Sequence, residues 1–154
     1  MRKRGLCVTD HRPLMIEASE YDTDALLYHW RWLVPRTDTP LFLSAFGDWV
    51  FGKPDGSLWL LSVLEGDYTQ IARGAREYNT LNKSVEWLEA TFIAGWQPIA
   101  AAHGLEPQKD ECLGWKLHPL FGGEFAVSNL PLFSMKVYQT LMGQLHRQLQ
   151  QHPA

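Results

Sequence analysis

Phe46-Gly47-Asp48-Trp49-Val50-Phe51-Gly52-Lys53-Pro54-Asp55-Gly56-Ser57-Leu58-Trp59-Leu60-Leu61-Ser62-Val63 carries the clearest structural signal in the chain. Two β-rich runs flank Pro54-Asp55-Gly56. Proline presets φ for a turn and glycine accepts positive φ, so the segment predicts a β-hairpin. Upstream, Leu41-Phe42-Leu43-Ser44-Ala45-Phe46 is another β-rich run, with Gly47-Asp48 as the break before Trp49. Downstream, Glu65-Gly66-Asp67 supplies a turn and Tyr68-Thr69-Gln70-Ile71-Ala72 a further strand. Several adjacent strands form a stable meander where two alone are marginal.

Helical spacing surrounds this β block. Asp22-Thr23-Asp24 offers N-cap oxygens, and Leu26, Leu27, Trp30 and Leu33 recur at helical intervals up to Pro35, predicting a helix over 23–33. A short helix fits 74–81. From the N-cap candidate Ser84 one long helix is expected, with Trp87, Leu88, Thr91, Phe92, Gly95, Trp96 and Ile99 on one stripe and Gly104 as its C-cap. Residues 106–111 read as a surface loop and Cys112–Leu117 as a strand. Pro119–Glu124 reads as a glycine-bearing loop, and Ala126-Val127 with Asn129-Leu130 as a short extended piece. From Ser134 a closing helix is expected, with Val137, Leu141, Leu145 and Leu149 as its apolar stripe. Strands clustered between helices predict an α+β fold: a mostly antiparallel sheet built on the central hairpin and meander, packed by three to four helices including the C-terminal one. The chain of 154 residues suits one domain, with residues 1–20 as a loose N-terminal arm and 22–150 as the folded unit.

Composition narrows the function. The apolar share is 45%, the charged share 20% and the net charge -3, a globular balance with no strong field toward nucleic acid or acidic lipid. No apolar run is long enough to span a bilayer. Met1-Arg2-Lys3-Arg4 is like a signal-peptide n-region, but no apolar segment of the needed length follows. Cys7 and Cys112 are too far apart in sequence to suggest a zinc or disulfide framework, so a reducing cytoplasm is the expected location. Charge is uneven: residues 13–111 carry seven basic and fifteen acidic side chains, and both ends are basic. An acidic middle suits a solvated face or a surface that steers a basic partner. Arg2-Lys3-Arg4 alone would neutralise too few phosphates for direct nucleic-acid binding. Seven Trp is a high number for this length. Most fall on apolar periodic positions and are expected in the core. Trp32 and Trp96 share stripes too crowded for every ring to be buried, so a few rings are expected near the surface, where tryptophan anchors partners.

Catalytic motifs are absent: no phosphate-binding glycine loop, nucleophile elbow or zinc-binding helix. Gly122-Gly123-Glu124-Phe125 is like a diguanylate cyclase signature but lacks its second acid. His118, with Lys116 and Glu124 nearby in sequence, suggests a general base, but a polar loop histidine is the simpler reading. Asp48, after Gly47 at a strand break, is expected to bond its own turn backbone. No catalytic, metal or cofactor residues are assigned. Glu65 and Asp67, at a turn tip, together with Asp55 and Tyr68, are the candidate contacts for a basic partner.

Three blocks resemble the type VI secretion DNase-immunity family. The first is Phe46–Phe51 with Pro54–Gly66. The second runs from Cys112 through Trp115, His118-Pro119 and Phe121-Gly122-Gly123 to Asn129-Leu130. The third is Tyr138 through Gly143-Gln144-Leu145-His146. They come in the family's order over about residues 22–150, with Phe121 where the family pattern has Leu. The resemblance implies a cytoplasmic immunity protein that is not an enzyme and uses no cofactor. Its partner would be a co-encoded toxin, a nuclease, which it neutralises. Gly47, Asp48, Trp49, Gly56, Gly122, Gly123 and Asn129 would be structural markers of that family's domain. The alternatives are an orphan interaction or scaffold domain of the same fold, or a small hydrolase-type enzyme using Asp48, His118 or Glu124.

Overall fold

The computed structural model describes residues 12–151. Its centre is a five-stranded antiparallel meander in sequence order: β1 (Met15–Glu17), β2 (Thr39–Ser44), β3 (Trp49–Gly52), β4 (Leu58–Ser62) and β5 (Asp67–Ala72). The hairpin sits where Pro54-Asp55-Gly56 places it, with Gly52 opposite Leu58 and Trp49 opposite Leu61. Gly56 has φ +92°, a conformation that glycine alone adopts without penalty. Five helices surround the sheet among the described residues: α1 (Thr23–Leu27), α2 (Ala75–Leu81), α3 (Val85–Phe92), α4 (Trp96–Ala102) and α5 (Met135–Gln151). A two-stranded sheet, β6 (Glu111–Leu113) and β7 (Leu132–Ser134), completes an α+β fold. No helix among the described residues is long and apolar enough to cross a membrane.

The central strands are buried on both faces, which explains why β4 is a continuous apolar run and not an alternating one. Trp49, Phe51, Leu43 and Leu61 point to one side and pack with Leu27 and Trp30 near α1 and with Met135, Tyr138 and Met142 of α5. Val50, Leu58 and Leu60 point to the other and pack with Tyr78 of α2 and Phe92 of α3. A third cluster, Phe46, Leu113, Trp115 and Leu130, ties the small sheet to the end of the large one, where Leu113 N donates to Ala45 O at 2.8 Å.

The structure corrects several expectations. The arm expected over 1–20 lies outside the described residues up to residue 11, but Met15–Glu17 is the sheet's edge strand, paired with β2. The first helix ends at Leu27 and continues as a 3-10 turn over Tyr28–Trp30. The long helix from Ser84 is two helices. Ile93 takes a left-handed conformation (φ 49°), its N–H closing on Glu89 O, and Gly95 N–H donates to the Glu89 carboxylate at 2.6 Å. A left-handed β-branched residue has no signature in sequence patterns. The strand expected at Cys112–Leu117 stops at Leu113, and the piece around Asn129 is a 3-10 turn, Val127–Asn129. In α5 the expected stripe is on the wrong side: Val137, Leu141 and Leu149 are 50%, 52% and 37% exposed, while Tyr138, Gln139, Met142 and His146 are buried. All seven Trp are buried or half-buried, Trp32 and Trp96 included.

Candidate functional site

The β4–β5 turn, Ser62–Gly66, is gripped by three side chains from three distant parts of the chain. Asp48, at the start of β3, accepts from Val63 N–H with Oδ1 at 2.9 Å. His146, on α5, donates from Nε2 to Val63 O at 2.9 Å. His118, preceding a 3-10 turn over Pro119–Phe121, donates from Nε2 to Leu64 O at 2.8 Å, and its Nδ1 accepts from Leu120 N–H at 3.0 Å. The two imidazoles stand 5.6 Å apart, edge to face. Gly66 completes the grip: a Cβ there would strike the His146 ring, and its φ of +71° suits glycine.

This geometry revises two expectations. Asp48 does not bond its own turn. Ser44 does that work, its Oγ accepting from Phe46 N–H and Asp48 N–H at 3.1 Å each. His118 is not a solvated loop histidine but is buried, each ring nitrogen engaged by backbone.

Electrostatics follow from burial. The Asp48 carboxyl is pushed up to about 7, mainly by loss of hydration; the Val63 N–H opposes this and the charges of Asp67 and Glu65 add to it. Burial also holds His146 below its ordinary value, opposed by its bond to Val63 O. Asp48 lines a cavity of about 90 Å³ together with Phe46, Ser62, Leu64, Phe92, Ile93 and Trp115 among others. A carboxyl poised near neutrality in a cavity is a proton donor or acceptor in chemical capacity. Here it is spent on the turn. His118 faces a different cavity, lined with Leu64, Glu65, Pro119, Leu120 and Phe125, and the Glu124 side chain is exposed. Among the described residues no three His, Cys, Asp or Glu side chains are arranged to hold a metal ion.

No family model and no curated protein matches the chain. Its fold is similar to a crystal structure. That structure is Atu4351 from Agrobacterium tumefaciens, with 17% identity and a TM-score of 0.53 over 85% of this chain. The match covers 66% of the Atu4351 chain, so this protein spans just under two thirds of that neighbour's length. At this identity the likeness is one of fold.

The remaining candidate residues divide into structural and exposed groups. Gly47, with φ +86°, places its carbonyl to accept from Gln139 Nε2 at 2.7 Å, while Gln139 Oε1 accepts from Trp49 Nε1 at 3.1 Å. Gln139 is fully buried, and sequence reading missed it because a glutamine on a helix ordinarily marks the wet side. Asn129 clamps the 117–124 loop: Oδ1 accepts from Leu117 N–H, and Nδ2 donates to Leu117 O and Glu124 O, all at 2.9–3.0 Å. A Cβ on Gly123 would collide with the Leu117 carbonyl, so only glycine fits there. Gly122 ends the 3-10 turn in the left-handed region.

Asp55, Glu65 and Asp67 are exposed at the sheet's two ends. Asp55 caps its turn by accepting from Ser57 N–H and Oγ, and those bonds hold it below the usual carboxylate range. Tyr68 is not free for a partner. Its hydroxyl donates to Asp38 Oδ2 at 2.6 Å, the same oxygen that Lys53 Nζ meets at 2.7 Å. Lys53 also lies over the rings of Trp59 (4.6 Å) and Tyr68 (5.3 Å). Burial and the Asp38 charge push the Tyr68 phenol up. Buried Asp38 carries no local signal because its partners, Lys53 and Tyr68, lie 15 and 30 residues along the chain.

Cys112 is buried, and burial pushes its thiol up, away from reactivity. Cys7 and Arg2-Lys3-Arg4 lie outside the described residues.

Proposed function

We propose that this chain is a non-catalytic immunity protein that binds and neutralises a co-encoded bacterial toxin, a nuclease effector of type VI secretion. One observation carries the reading. The three sequence blocks that resemble the immunity family meet at a single point, with Asp48, His118 and His146 each supplied by a different block and all bonding the Val63-Leu64 backbone. The residues of those blocks are therefore engaged with one another as parts of one scaffold. Gln139, Asn129 and Gly123 act likewise. Asp55 and Glu65 of the first block stand exposed to solvent, with Asp67 just beyond it. A nuclease must carry positive charge to meet phosphates, so an acidic inhibitor gains association rate and selectivity from complementarity.

Expression of the adjacent gene's product, alone and with this chain, tests the proposal. The product alone should degrade DNA and arrest growth, and this chain should restore growth without modifying the product covalently. A neighbour that is harmless alone, or whose toxicity persists undiminished, refutes it.

A further inference from the structure

The loop that follows β6 exposes three large apolar side chains within six residues: Leu120 (64%), Phe121 (57%) and Phe125 (55%). Such a group is unfavourable to leave in water and marks a contact surface when it is contiguous and rigid. This loop is rigid by construction. Asn129 holds it at Leu117 and Glu124, Gly123 packs on the Leu117 carbonyl, and His118 bolts it to the β4–β5 turn through Leu64 O. Phe125 is set edge-on to buried Trp115 at 5.0 Å. A loop frozen before binding loses little conformational entropy on binding.

Between this loop and the turn lies a slot of about 200 Å³. Leu64, Pro119, Leu120 and Phe125 line it with apolar surface, together with His118 and Glu65. Glu65 is exposed and forms no ion pair among the described residues, and Asp67 beyond it is the same. We propose that this slot is where a protein partner inserts an arginine side chain. The aliphatic stem would lie against Leu120 and the guanidinium over the Phe125 ring, forked on the Glu65 carboxylate. Arginine suits the slot better than lysine because its planar, weakly hydrated cation stacks on an aromatic face and pairs with a carboxylate through two bonds. The inference rests on the reading that this chain is a toxin inhibitor, and it names the contact that reading left open.

The test uses the full chain and a defined probe, N-acetyl-arginine N-methylamide, with the neutral isostere N-acetyl-citrulline N-methylamide as control. Backbone amide NMR shifts report binding. The arginine probe should give saturable shifts at Glu65, Leu120 and Phe125, and the citrulline probe should bind at least about fivefold more weakly. Glu65→Gln, at an exposed turn position, should reduce the difference between the two probes to near unity, while Glu17→Gln, exposed on β1 at the opposite edge of the sheet, should leave it intact. Absence of saturable shifts, or equal binding of the two probes to the unaltered chain, overturns the proposal. Failure of the immunity reading has a different signature: the slot still selects arginine, but co-expression does not relieve the neighbour's toxicity.

Discussion

Replacing Asp48 by Asn should make the protein more stable at alkaline pH while changing it little at acid pH. The folded carboxyl is raised from 3.8 to about 7. At 1.36 kcal/mol per tenfold change in proton affinity, ionising it in place costs about 4 kcal/mol. The sign follows from the direction. Because the folded state holds the proton more tightly, the stability contributed by Asp48 is complete below 3.8, is lost as pH rises toward 7, and stays lost above it. Asparagine keeps an oxygen for the Val63 N–H and never ionises. His146 works in the opposite sense. Its value is lowered from 6.5, so its contribution is present above 6.5 and is lost as pH falls. It is the same in both proteins and cancels in their difference. Urea unfolding followed by tryptophan fluorescence, from about pH 4.5 to about pH 8, should show a difference of only about 1 kcal/mol at the acid end. At the alkaline end Asp48→Asn should lead by several kcal/mol, up to about 4. A difference that does not vary with pH, or a less stable Asn variant at pH 8, would refute the reasoning that burial dominates this carboxyl.

Three further outcomes follow from the same geometry. Gln139→Leu strands the Trp49 indole N–H and the Gly47 carbonyl in the core and should cost about 2–5 kcal/mol in the same urea assay. Gly123→Ala forces a methyl against the Leu117 carbonyl, so the amide of Leu117 should lose hydrogen-exchange protection and global stability should drop by about 1–3 kcal/mol. Tyr68→Phe should cost about 1–2 kcal/mol, and ultraviolet titration of the tyrosines should lose one of its late-ionising phenols.

The hairpin was legible because its turn chemistry is local: proline, aspartate and glycine act through their own φ preferences and a capping carboxylate. The sheet's order followed, since short turns leave sequential strands little choice but to pair. Legibility failed where a residue's role is set by a distant partner. The α5 stripe falls on its leucines by spacing, yet Gln139 and His146 lie inside because Gly47, Trp49 and Val63 offer them hydrogen bonds. Ile93 breaks a helix that its neighbours' spacing would continue, because its turn closes with help from Glu89. The candidate site divides in the same way. The exposed acids at the turn tips were readable from turn composition. The turn's three-sided grip was not, since Asp48, His118 and His146 are separated by dozens of residues and none carries a local signal. The apolar loop beside Glu65 went unread because its glycines drew attention to close packing and not to the side chains they leave outside.

We propose that this chain acts by binding a toxin. Titration calorimetry of the purified chain against a catalytically inactivated form of the adjacent gene's product tests it most directly. Stoichiometric binding at nanomolar affinity or tighter is expected, with an affinity that falls as salt is raised. An absence of binding between the two proteins would contradict it.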